Sequence, residues 1–125
     1  MTYRIGKRFA FEAAHRLDGL PPGHKCSRLH GHSYAVEVVL SAPSLDEHGF
    51  VTDFGELGPL AEYVATKLDH RVLNEIISGP PTSERLAQHL YDWCVTGLRL
   101  PAQVEAVRVS ETAATWAEYR PDARP

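Results

Sequence analysis

The sequence predicts an α+β fold: one four-stranded antiparallel sheet with two helices on one face, in the order ββααββ. Three observations carry this expectation. Residues 3–15 and 30–41 alternate apolar and polar side chains with period two, as strands with one buried face do. Residues 57–68 and 84–94 instead repeat apolar side chains at helical spacing. Alternation returns over 103–111, and a short strand through Trp116 and Tyr119 follows over 114–120. Packing both helices on one face of such a sheet buries the periodic residues.

In the first strand Tyr3, Ile5, Phe9, Phe11, Ala13 and His15 share one parity, and Arg4, Arg8, Glu12 and Arg16 share the other. His15 ends that strand on its apolar side. Gly19, Pro21, Pro22 and Gly23 make 17–29 a loop, closed by Lys25, Cys26 and Arg28. In the second strand His30, His32, Tyr34, Val36, Val38 and Leu40 oppose Ser33, Glu37 and Ser41. Antiparallel pairing across the loop would bring His15 and His30 to one end of the ribbon. Pro43, Asp46, Glu47 and Gly49 mark a turn, and Asp53 with Glu56 has the spacing of a capping box. The first helix, through Leu57, Leu60, Ala61, Val64 and Leu68, ends near Leu68-Asp69-His70. After the break at Ser78-Gly79-Pro80-Pro81, Thr82 or Ser83 supplies an N-cap and Glu84 a first-turn carboxylate. Leu86, Leu90, Trp93 and Cys94 carry the second helix to Gly97. Val107 and Val109 alternate with Arg108 and Ser110 in the third strand, and the tail Pro121–Pro125 is expected to fray.

A chain of 125 residues, 43% apolar and 23% charged, is expected to form a single soluble domain over 1–125 with a core of its own. A net charge of -3 argues against an electrostatic nucleic-acid binder. The sequence shows no signal peptide and no apolar run near the ~18 residues that a membrane helix needs, so no membrane partner is expected. Two cysteines, Cys26 and Cys94, make no disulfide framework and suit a reducing cytoplasm. The predicted sheet leaves two free edges. Tyr3, Ile5, Phe9 and Phe11, with Val36, Val38 and Leu40, look too apolar for an exposed face, so an oligomer that joins edges into a barrel is expected.

The chemistry concentrates in Cys26-Ser27-Arg28-Leu29-His30-Gly31-His32, where a thiol and two imidazoles fall within seven residues. Successive strand side chains point to opposite faces, so His30 and His32 share one. A His-x-His pair alone says little. With His15 at the matching end of the neighbouring strand, the three imidazoles form a cap on one metal ion, and three histidines with an open fourth position is the catalytic zinc pattern. Scattered core or solvated histidines would not explain a shared face at a shared end. Cys26 has two readings. It is the fourth ligand of a closed structural site, or it stands off the metal, where Lys25, Arg28 and the ion favour its thiolate as base or nucleophile. Asp69-His70 can be a helix-end cap or an acid/base pair, since the helix dipole and the carboxylate both favour imidazolium. Glu111 lies on the Val107/Val109 face and needs a partner there, an arginine in the plainest case. Thr82-Ser83-Glu84 reads first as a helix start.

Taken in order, Phe11-Glu12-Ala13-Ala14-His15-Arg16-Leu17, Cys26-x3-His30-Gly31-His32, Leu68-Asp69-His70-x2-Leu73-Asn74, Pro81-Thr82-Ser83-Glu84 and Glu111-Thr112 resemble the 6-pyruvoyl-tetrahydropterin synthase superfamily. The chain looks most like the bacterial 6-carboxytetrahydropterin synthase branch of queuosine and deazapurine biosynthesis. The three-residue gap between Cys26 and His30 fits that branch, as does Phe-Glu-Ala-Ala-His. The resemblance implies a tunnelling fold in a homo-oligomer, a trimer or a hexamer of stacked trimers, with active sites at subunit interfaces. It implies His15, His30 and His32 as ligands of Zn2+, and Cys26 as a proton acceptor outside the ligand set. It implies His70, supported by Asp69, as the second acid/base group, reaching the site from a neighbouring subunit. Glu111 would anchor the pterin, with Thr82 and Ser83 contacting it.

The implied substrate is 7,8-dihydroneopterin triphosphate, and the implied products are 6-carboxy-5,6,7,8-tetrahydropterin, acetaldehyde and triphosphate. Lys25, Arg28 and Arg16 are the cations placed to meet the triphosphate, with ordinary surface charge as the plain alternative. Two rivals stand beside this reading: a pyruvoyl-forming or other pterin side-chain lyase with the same site, and a non-catalytic zinc-binding module.

Overall fold

The strand pair at the centre of the sheet follows from the alternation. In the computed structural model, which describes residues 2–122, β1 (Tyr3–His15) and β2 (His30–Ala42) pair antiparallel along their whole length, from Tyr3 opposite Ala42 to His15 opposite His30. Of the tail expected to fray, residues 123–125 lie outside the described residues. Two later strands extend the sheet antiparallel, β4 (Gln103–Thr112) on β2 and β5 (Thr115–Tyr119) on β4.

The sheet has a fifth strand that the sequence reading lacks. Arg71–Val72, β3, runs parallel to β1 beside Ala13 and Ala14, so the order is β3-β1-β2-β4-β5 and the sheet is mixed. Two residues are too few to show a period. A tertiary contact makes them a strand: the Glu12 N–H donates to Asp69 Oδ1 at 2.9 Å, and the His70 N–H donates to the Glu12 carbonyl at 2.6 Å.

The first helical segment is one continuous element built three ways. A 3-10 turn, Phe54–Leu57, is capped by Asp53, whose Oδ1 accepts the Gly55 N–H at 2.8 Å. The helix α1 (Gly58–Tyr63) follows, with Pro59 in its first turn, where a missing N–H costs nothing. A π-helical turn, Val64–Leu68, then closes with Asp69 N–H donating to the Val64 carbonyl at 2.9 Å. One π turn widens the last loop of the helix and re-aims what comes next. Here it delivers Asp69 and His70 to the edge of β1. The second helix, α2 (Ser83–Gly97), starts at Thr82, whose Oγ1 accepts the Arg85 N–H at 3.2 Å. Its buried residues, Leu86, Ala87, Leu90 and Cys94, form one face.

Both helices cover the same sheet face. Phe11, Val36, Val38, Leu40, Val107 and Val109 join Leu57, Leu60, Leu68, Leu86 and Leu90 in one buried cluster. This corrects part of the argument for an oligomer. Phe11 and the apolar residues of β2 are buried within the chain, and of that group only Tyr3 is exposed. The apolar stripe is therefore no evidence for a partner subunit. Cys94 belongs to this core, where burial pushes its thiol up to about 12 and keeps it an unreactive packing residue.

Candidate active site

The antiparallel register carries three imidazoles to one point. His15 lies opposite His30 and Ala13 opposite His32, so the three rings leave the sheet on the same face. Ring centroids are 4.6 Å apart for His15 and His30, 5.1 Å for His15 and His32, and 4.8 Å for His30 and His32, with planes inclined at 65° to 88°. One ligand nitrogen from each lies within 4.8 Å of the others, which is the spread that one metal ion can bridge. Tyr34, stacked on Phe11, lies edge-on to His15 and His32. Burial, reinforced by the Glu111 charge, pushes its phenol well above the ordinary range, so it stays a neutral hydroxyl.

Backbone carbonyls decide which nitrogen each ring turns inward. His15 Nδ1 lies 2.7 Å from the Pro81 carbonyl, and His30 Nδ1 lies 2.7 Å from the Arg28 carbonyl. A carbonyl only accepts, so both Nδ1 atoms carry hydrogen, and in the neutral rings both Nε2 atoms offer lone pairs. Those Nε2 atoms face each other at 3.0 Å. At that distance the two nitrogens can share one proton or ligate one metal ion. Carbonyl-anchored imidazoles of this kind are the usual outer support of a metal site. Glu111 adds to the case. Its Oε2 is buried, has no hydrogen-bond partner, and lies 3.6 Å from the Nε2 atoms of both His15 and His32. His32 is held below the ordinary histidine value of 6.5, first by burial and then by its two histidine neighbours, against the pull of Glu111. The neutral form that binds metal is thus favoured at neutral pH.

The other residues singled out by sequence fall around this centre. Cys26 sits half-buried on the 3-10 turn Lys25–Ser27 and is outside the close group of ligand atoms. Asp69 and His70 form a pair, with Nδ1 to Oδ2 at 3.0 Å, on the sheet edge beside β1. The Glu12 N–H, then the His70 side chain, hold the Asp69 carboxyl below its usual value, so it stays charged. His70 shares a cavity of about 440 Å3 with His32, Ser33 and Glu12. Glu111 meets histidines and not the arginine that the plainest reading supplied. Thr82 is the α2 cap, whereas the hydroxyl of Ser83 is buried without a partner in a cavity it shares with Glu111. Lys25 and Arg28 are exposed, and Arg16 pairs with Asp18 at 3.1 Å. The Pro81 and Arg28 carbonyls were not legible as parts of the site. Main-chain acceptors carry no residue-type signal, and Pro81 lies 66 positions from His15.

These features define a class: an α+β protein whose central strand pair gathers three histidines able to hold a metal, with a carboxylate and a carboxylate–imidazole pair close by. Residues 4–122 match the 6-pyruvoyl tetrahydropterin synthase family, and the chain belongs to it. It is 38% identical over 127 residues to a 6-carboxy-5,6,7,8-tetrahydropterin synthase of Synechocystis sp., covering 92% of this chain and 91% of the relative. It is 35% identical over 112 residues to a dihydroneopterin monophosphate aldolase of Pyrococcus furiosus, covering 88% and 89%. The structure of a 6-pyruvoyl tetrahydropterin synthase from Caenorhabditis elegans superposes with a TM-score of 0.85 at 25% identity, over 98% of this chain and 97% of that one.

The geometry predicts one metal ion per chain. Elemental analysis of the purified protein should find it, and His30→Ala should lose most of it, because two ligands on separate strands cannot hold the ion alone. Full retention of metal by His30→Ala would remove His30 from the centre.

Proposed function

We propose that residues 1–125 form one 6-carboxy-5,6,7,8-tetrahydropterin synthase domain that uses zinc. It converts 7,8-dihydroneopterin triphosphate and water to 6-carboxytetrahydropterin, acetaldehyde and triphosphate. The observation that carries the reading is the inward-facing set of His15 and His30 lone pairs, with His32 and the unpartnered Glu111 oxygen, in a chain of this family. The three imidazoles fit Zn2+, which favours such a set with one position left for substrate, and Glu111 stays outside the ligand set. Bound zinc supplies Lewis acidity, lowering the pKa of a coordinated hydroxyl and stabilising the charge that develops in the reaction.

The chain's own groups do the rest. Glu111 accepts the paired N–H donors of the pyrimidine edge of the pterin, as a carboxylate accepts a guanidinium. Ser83 Oγ, buried and unpartnered in the same cavity of about 490 Å3, gains its missing partner from the same ring system, and Thr82 lies beside it. Cys26, as thiolate, removes a proton from the side-chain carbon next to the ring. His70 carries protons on the other side of the substrate, with Nδ1 held by Asp69 and Nε2 left for exchange. Lys25, Arg28 and Arg16 offer charge to the triphosphate. The protein works as a homo-oligomer, a trimer or hexamer, with Asp69–His70 serving the site of a neighbouring subunit. In support of assembly, β3 pairs with β1 only at Ala13 and Ala14, so most of the outer β1 edge has no strand beside it among the described residues. A second reading, a pyruvoyl-type synthase or another pterin side-chain lyase, is favoured by the aldolase relative at 35% identity.

Incubation with 7,8-dihydroneopterin triphosphate should release acetaldehyde and 6-carboxytetrahydropterin. Glycolaldehyde or a pyruvoyl product in their place would move the chain to the second reading. Cys26→Ala should keep its zinc and fold while turnover falls by about two orders of magnitude or more, the usual worth of a positioned proton acceptor. Loss of zinc with activity would make Cys26 a ligand of a closed site. Mixing inactive Cys26→Ala and His70→Ala chains under conditions of subunit exchange should restore part of the activity, since some sites then pair an intact cysteine with an intact histidine. No recovery after proven exchange would confine both residues to one chain.

A further inference from the structure

The stretch that begins Leu68-Asp69-His70 runs on to Asn74, which has no part in the chemistry above. Its side-chain amide makes two hydrogen bonds to the backbone of one residue. Oδ1 accepts the Arg16 N–H at 2.8 Å, and Nδ2 donates to the Arg16 carbonyl at 2.8 Å. An amide that satisfies both backbone groups of one residue imitates a neighbouring strand. It does so where β3 has ended and β1 has just ended at His15. The same two segments are also tied upstream, where Glu12 N–H meets Asp69 Oδ1, His70 N–H meets the Glu12 carbonyl, and Arg71 and Val72 pair with Ala13 and Ala14. Residues 69–74 are therefore held along 12–16 from end to end.

Within the upstream tie sits His70, with φ 60°, the one positive-φ residue other than glycine among the described residues. A side chain in the left-handed region is strained, and the conformation persists only where the surrounding structure dictates it. The upstream contacts hold the backbone of His70, and the Asn74–Arg16 pair carries the attachment past the end of β3, backing the place of His70 on the wall of the cavity it shares with His32. Leu73, fully buried, anchors the adjoining turn but has no group that could fix its register along β1.

We propose that Asn74 is a positioning residue for the Asp69–His70 pair: its two bonds to Arg16 hold the far end of the segment, so that His70 keeps its strained backbone and its station opposite His32. The role rests on the proposed part of His70 as a proton carrier. The test uses full-length, zinc-loaded Asn74→Ala and Asn74→Asp, assayed well below their melting temperatures. Asp keeps the volume and one acceptor but sets an oxygen against the Arg16 carbonyl. Both variants should lose roughly ten- to a hundredfold in kcat, as an ångström-scale displacement does, with KM within about threefold and zinc per chain unchanged. In both, the His70 amide should exchange hydrogen faster by NMR, because its bond to Glu12 opens more often. Unchanged kcat with only a lower melting temperature would reduce Asn74 to a structural tie. Loss of zinc would show that the clamp serves His15 instead. If Asn74→Ala does not fold, Asn74→Asp carries both readouts. If the wild type turns over no pterin triphosphate, the functional reading fails by itself, and the exchange measurement still decides whether Asn74 holds His70: an unchanged rate overturns the proposal.

Discussion

The register of β1 against β2 is the constraint on which the rest of the site depends. Strand side chains alternate with period two, so a slip of one residue would send one member of each facing pair to the opposite face. The observed register sets His15 against His30 and leaves His32 two positions on, with all three rings on the buried face. Below them Phe11 faces Tyr34 and Phe9 faces Val36, and the burial of that stripe under the helices resists any slip. The same packing that stabilises the fold therefore aligns the ligand set. A metal site built on two paired strands gains its precision from the core and needs little of its own.

The strands bring the rings together, and main-chain acceptors orient them. Pro81, at the approach to α2, and Arg28, at the end of the loop before β2, each offer a carbonyl to an Nδ1–H. This couples three remote parts of the chain to the orientation of two imidazoles. It also produces a local arrangement with an excess of acceptors, two facing Nε2 lone pairs and a buried carboxylate oxygen without a donor. Buried acceptors without donors are costly in a folded protein. A metal ion held by the three histidines would relieve the facing nitrogens, and the favoured neutral state of His32 is consistent with that use.

A second device lies at the sheet edge. The π turn at Val64–Leu68, the charged Asp69 held by the Glu12 N–H, and His70 in a left-handed conformation follow one another without a break. The π turn and His70 depart from regular geometry, and with Asp69 between them they turn the exit of a helix into a short parallel strand. Clustered irregularity of this kind is where local preference yields to the demands of a site.

The fold class, the two long strands, a cap of α2 at Thr82 or Ser83 and the meeting of His15, His30 and His32 could be read from the residues, because each depends on a periodicity or a short local pattern. Arithmetic on strand parity was enough to place three imidazoles on one face. Tertiary structure alone decided the rest. β3 has two residues, too few for any period, and exists because Asp69 and His70 dock on Glu12. The apolar residues Phe11, Val36, Val38 and Leu40 looked like a face awaiting a partner. Sequence records that such residues must be buried but not what buries them, and here the chain's own helices do so. The Glu111 carboxylate called for a partner, and only the folding of β4 beside β2 made that partner a pair of histidines. The Pro81 and Arg28 carbonyls that set the tautomers are features of backbone direction, which every residue type shares and no residue letter encodes.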